Sequence, residues 1–118
     1  MKYVILIYSN PATWRSLPPA ETERIIGVHN TLISELTESG EFVGIYRLAD
    51  GATAKTVDGV GPTPVVTDGP FGEAKEYLAS LWELDVENIE RALEIARPLA
   101  QHAVIEVRPL MDAAGLEM

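Results

Sequence analysis

The chain contains no cysteine. That absence removes disulfide staples, thiol nucleophiles and thiolate metal ligands together, and nothing in the sequence points to secretion. Histidine is scarce as well, with 2 residues, His29 and His102, in 118. They form no H-x-x-x-H spacing, so no metal site is expected. Long apolar runs are missing. The longest near the start, Tyr3 to Tyr8, is too short for a secretory core or a membrane span, and a cytoplasmic protein without membrane contact is expected. Basic clusters are missing too. Lys and Arg number 9 against 18 Asp and Glu, a net charge of −9, which makes nucleic acid a poor partner because phosphate contacts need grouped cations. The glycines at 59, 61, 69 and 72 fit neither nucleotide-binding loop, and no nucleophile elbow is present. No cofactor is expected.

What remains is a 118-residue chain that is 47% hydrophobic, enough for one core and no second. It reads as a single domain over 1–118, with a tail from 111 to 118 that has little to anchor it. Tyr3-Val4-Ile5-Leu6-Ile7-Tyr8 is apolar at odd and even positions, the pattern of a strand covered on both faces. Ser9-Asn10-Pro11 ends it. Pro18-Pro19-Ala20-Glu21 opens a helix, and Gly40 closes it. Ile25, His29, Leu32, Ile33 and Leu36 form its apolar stripe. Phe42 to Leu48 is a second strand. Thr53–Val57 and Pro64–Thr67 read as a small hairpin, and Leu78 to Leu84 as a strand with Leu78, Trp82 and Leu84 on one face. Asp85 is the expected N-cap of a second helix that Pro98 ends, and Val104 to Arg108 is the last strand. With the hairpin set aside the order is βαββαβ, an α+β ferredoxin-like pattern. Two helices cover one face of a four-stranded sheet, so the other face calls for a second copy of the chain.

The least ordinary stretch is Val65-Val66-Thr67-Asp68-Gly69-Pro70-Phe71-Gly72-Glu73-Ala74-Lys75-Glu76. Asp-Gly-Pro breaks the strand with one residue that tolerates unusual φ and one that fixes it. Asp68-Gly69-Pro70-Phe71 followed by Glu73-x-Lys75-Glu76 resembles the signature of the DGPF group of the YCII-related family. The similarity runs over nearly the whole chain: the opening Met1-Lys2-Tyr3 strand ending in Tyr8, a helical His29, the loop, and the closing Val107-Arg108-Pro109. The resemblance implies a dimeric α+β barrel formed by a homodimer. It also implies that the helical histidine is the proposed catalytic residue, paired with an aspartate.

On the residues alone, His29 on an apolar stripe is more often a core histidine, and His102 sits in an exposed turn. An imidazole nevertheless suits general acid–base work. Other family members carry an aspartate after the second helix, where this chain has Arg97-Pro98-Leu99. Asp68, stiffened by its loop, is the acid partner that remains. Tyr8, Phe71, Lys75 and Trp82 are the candidates for substrate contact, with Tyr46 as a further aromatic in the same region. Two functions follow. One is a small cofactor-independent enzyme in which His29 and Asp68 move protons on a small anionic or aromatic molecule, by isomerisation or elimination. The other is a non-catalytic dimeric module that binds a metabolite or a protein and serves regulation.

Overall fold

β1 (Lys2–Ser9) is the centre of the architecture in the computed structural model, which describes residues 1–71 and 76–118. It pairs antiparallel with β5 (Tyr77–Asp85) on one side and β6 (Ala103–Pro109) on the other, and β2 (Phe42–Arg47) pairs antiparallel with β5. The sheet order is therefore β2-β5-β1-β6. Three helices, α1 (Pro11–Ser16), α2 (Pro19–Ser39) and α3 (Ile89–Ala96), complete the main body. A separate two-stranded sheet, β3 (Lys55–Asp58) with β4 (Val65–Asp68), stands apart from it. Without α1 and this hairpin the order is the ferredoxin-like βαββαβ. The sheet stays open, and no barrel closes among the described residues.

Within one chain the first strand is covered on one face. Tyr3, Ile5 and Ile7 are buried, whereas Val4, Leu6 and Tyr8 are only half-covered. Side chains alternate across a strand, and the core lies on one face only. There Ile5, Trp82 and Leu84 meet Leu36 of α2 and Ala92 and Ile95 of α3. Each large side chain buried this fully stabilises the fold by roughly 1.5–3 kcal/mol. Two bulges set which residues share that face. Ser80 pairs with Ile7 but Leu78 pairs with Tyr8, so Ala79 is the extra residue in β5. Leu78 therefore joins the row of Tyr8 and leaves the row of Trp82 and Leu84. In β2, Phe42 pairs with Leu84 and Gly44 with Glu83, which leaves Val43 extra.

The helix ends follow from local chemistry. Pro19 sits at the start of α2, where its missing N–H costs nothing, and Glu21 is in the first turn. Gly40 closes the helix at φ +82, with its N–H on the last carbonyls. Gly27 has open space where a Cβ would sit, so close packing is not its reason. The cap of α3 is Asn88 and not Asp85: Asn88 Oδ1 accepts from the Arg91 N–H at 2.9 Å. Asp85 instead accepts from the Met1 ammonium at 3.1 Å. The segment after β6 folds back on itself. Leu110 N–H donates to the Lys2 carbonyl, and Met118 N–H donates to that of Leu110. Asp112 Oδ1 takes the N–H groups of Ala114 and Leu116. Among the described residues no helix is long and apolar enough to cross a membrane.

The Asp-Gly-Pro corner lies at the end of β4. Gly69 has φ +94; its N–H donates to the Ala54 carbonyl at 2.7 Å, and its own carbonyl accepts from Thr56 Oγ1 at 2.7 Å. Among the described residues nothing would touch a Cβ there, so the penalty these residues impose on a side chain is strain in φ. Gly69→Val is expected to lower stability by more than ~1 kcal/mol, read as a lower urea midpoint. An unchanged midpoint would show a corner loose enough to relax.

Candidate functional site

A cavity of about 390 Å³ opens between the end of the sheet, α2 and α1. Ile7, Ile45 and Ala103 form its apolar floor on the sheet, and Ile25 and Leu99 close it from behind. Ser9, Ser80 and Arg47 bring polar groups from three neighbouring strands, and His29 and Asn30 bring theirs from α2. Trp14, Ile26 and Leu48, all partly exposed, stand at the mouth. The register explains this meeting. Ile7 pairs with Ser80, and Ser80 pairs with Arg47, so one row across the sheet ends in a guanidinium. A second hollow of about 450 Å³ lies on the outer flank of α2, but Arg24, the one basic group of its described lining, is already held by Glu21 and Gln101.

His29 is half-buried. Its ring stands edge-on to Trp82, with centroids 5.7 Å apart and planes at 82°. Trp82 is fully buried, and Phe42 meets it edge-on from the other side at 6.0 Å. Trp82 Nε1 is a buried donor with no partner among the described residues. No hydrogen bond reaches the His29 ring among those residues either, so its nitrogens are open to whatever enters the cavity. Burial pushes the His29 imidazole below its usual 6.5, and the positive charge of Arg47 pushes it the same way. Both effects disfavour the imidazolium.

The sequence-predicted site residues do not gather here as a set. Asp68 is 86% exposed and forms a cross-strand ion pair with Lys55 on the hairpin. It does not meet His29. Phe71 is 86% exposed, and Lys75 lies outside the described residues. Tyr8 and Tyr46 do not line the cavity. Their neighbours Ile7, Ser9, Ile45 and Arg47 do, and alternation sends the tyrosines to the opposite face of the sheet. Trp82 supports His29 from beneath. His102, held at φ +54, has Nε2 3.3 Å from Glu21 Oε1. Among the described residues no group of three His, Asp or Glu side chains could hold a metal.

The family described as the YCII-related domain matches residues 1–114. The chain belongs to the YCII-related family. This YCII-related chain is also similar to an uncharacterised protein of Rhizobium meliloti (strain 1021), 29% identical over 114 residues, covering 93% of this chain and 92% of that one.

Arg47, Trp14, Ser9 and Ser80 are the residues of this YCII-related cavity that sequence reasoning missed. A signal existed for Trp14. Asn10-Pro11 is a cap followed by a proline, and Asn10 Oδ1 does accept from the Ala12 N–H at 2.9 Å to start α1. Arg47 could have been found by stepping two residues from Ile45.

The electrostatics make a prediction about pH. The unfolded chain takes up a proton on this histidine near pH 6.5, before the folded chain does. Stability from a neutral His29 is complete above that pH and declines as the pH falls through it toward the lower folded value. A proton NMR titration of the His29 ring is expected to give a midpoint below 6.5. A midpoint above that value would mean a carboxylate reaches the ring in solution.

Proposed function

We propose that the chain is a small cofactor-independent enzyme that moves a proton on a small organic substrate, in an isomerase- or lyase-type reaction, with His29 as the acid–base residue. One observation carries this reading: His29 lines a cavity of ligand size while no group among the described residues occupies its ring nitrogens. A ring kept neutral near pH 7 can accept a proton from a bound molecule and return it at another atom. The edge-on contact with Trp82 holds the ring in one orientation. In this reading Asp68 has no catalytic part, and Asp68→Asn leaves turnover intact.

The working form is a homodimer joined through the open sheet face. Val4, Leu6, Tyr8 and Leu81 are half-covered there, and Tyr46 and Val104 are more than half exposed. Glu83, Glu106 and Arg108 share this face, but an apolar stripe of this kind still marks a contact surface, and a second sheet laid on it gives a dimeric α+β barrel. Light scattering at micromolar concentration is expected to give twice the 12.9 kDa chain mass. A monodisperse monomer would remove the dimer from the proposal.

A second reading, a non-catalytic binding module with a regulatory role, is favoured by one feature: the Asp68 carboxylate is taken by Lys55, which leaves no carboxylate bonded to His29 among the described residues. The two separate in heavy water. The protein is incubated with a panel of small ketones, lactones and enol acids, and exchange of carbon-bound hydrogen for deuterium is followed by proton NMR. Protein-dependent exchange supports the enzyme. Saturable binding without exchange of any compound leaves the binding module.

A further inference from the structure

We infer that the molecule held in the His29 cavity is a small organic carboxylate, its carboxylate fixed by Arg47 and its apolar body lying on the floor of isoleucines. This rests on the reading that the cavity holds a small molecule, and it names the class. Acidic residues outnumber basic ones 18 to 9 in the chain, yet the described lining holds an arginine and no acid. Arg15, Arg24 and Arg91 each have a carboxylate partner. Among the described residues Arg47, Arg97 and Arg108 have none, and of these three it is Arg47 that stands in the wall of this cavity, where an unpaired guanidinium is a ready anion receptor. Its planar fork matches the two oxygens of a carboxylate.

The rest of the lining argues for one anionic group and no more. Besides Arg47 and His29, the polar side chains of the described lining are Ser9, Asn30, Ser80 and Gln101, and they carry no charge. A phosphate dianion would call for further cations or a ring of N–H donors, which the described lining does not offer. Ile7, Ile25 and Ile45 with Trp14 provide the apolar and aromatic surface that a hydrocarbon body needs. The volume of about 390 Å³ is near the lower end of ligand cavities, so the body is small. His29 lies across the same space, where its neutral ring meets the part of the ligand that Arg47 does not hold.

The test compares benzoate with benzamide, a neutral molecule of nearly the same shape, by NMR titration of the full chain, following the Trp14 indole and His29 ring signals. Benzoate is expected to bind at least about 10-fold more tightly than benzamide, since a hydrogen bond to a charged group is worth that or more. Arg47→Gln is expected to bring benzoate down to the benzamide level and leave benzamide unchanged, and Arg47→Lys to retain part of the difference. Equal binding of the two probes, or no effect of Arg47→Gln on their ratio, overturns the carboxylate class and leaves the His29 cavity as a binding site. No shift at either signal with either probe overturns both readings. A folded spectrum for each variant keeps a loss of binding separate from a loss of structure.

Discussion

Trp82→Ala is expected to cost about 3–5 kcal/mol of unfolding free energy, the range for removing a large aromatic from a core. The indole is fully buried. It sits between Phe42 and His29 in two edge-on contacts, and Ile5 and Ile45 flank it in the strand register. Removing it leaves a void that neighbouring strands cannot close without breaking their ladders. Against a typical total of about 5–15 kcal/mol, the variant is near the edge of folding. Trp82→Phe is the informative companion. It also removes a buried N–H that has no partner among the described residues, whose burial costs about 1–3 kcal/mol, so part of the lost packing is returned. Urea denaturation at constant slope checks both. A loss for alanine under about 2 kcal/mol would show that the two rings collapse into the hole.

His29→Gln is expected to lower the rate of protein-dependent deuterium exchange by 10²–10⁴-fold, the usual contribution of a positioned acid–base group. Glutamine keeps a polar side chain of similar reach and removes the titration. The ring is only half-buried and makes no hydrogen bond to the rest of the fold among the described residues, so stability and assembly should change little. A variant that folds and still exchanges at the parental rate would assign the chemistry to another group. The pH profile adds a second check. A base with a depressed pKa keeps its activity further into acid than an ordinary imidazole would, so the rate should hold to below pH 6.5.

The main elements were legible because each repeats a period long enough to see. The stripe from Ile25 to Leu36 and the caps Pro19 and Gly40 marked α2, and the two-sided apolarity of β1 marked a central strand. The site was legible only in His29. Its companions come from separate elements, and the register that joins them depends on the extra residues Val43 and Ala79, which no local pattern announces. α1 has 6 residues, too few to show a helical period. Asp68 misleads for a related reason. It ends a strand, as expected, but that strand belongs to the separate hairpin, where Lys55 stands directly opposite. A turn motif fixes the local backbone and says nothing of which sheet the strand joins.

The strand order has a consequence for how the chain reaches its fold. β1 and β2 precede the hairpin tip at 59–63, and β5 and β6 follow it. In the order β2-β5-β1-β6 every ladder of the main sheet joins a strand from the first half to a strand from the second. Neither half holds one strand pair of that sheet by itself. A nascent chain emerging from the ribosome can form α2 early, but no part of the four-stranded sheet can assemble until Tyr77–Asp85 is out. Loop closure over most of the chain then precedes the first reward in contacts, the condition for slow folding. The same interleaving means that a chain nicked at the hairpin tip is still stitched together by all three ladders, each half serving as the template for the other.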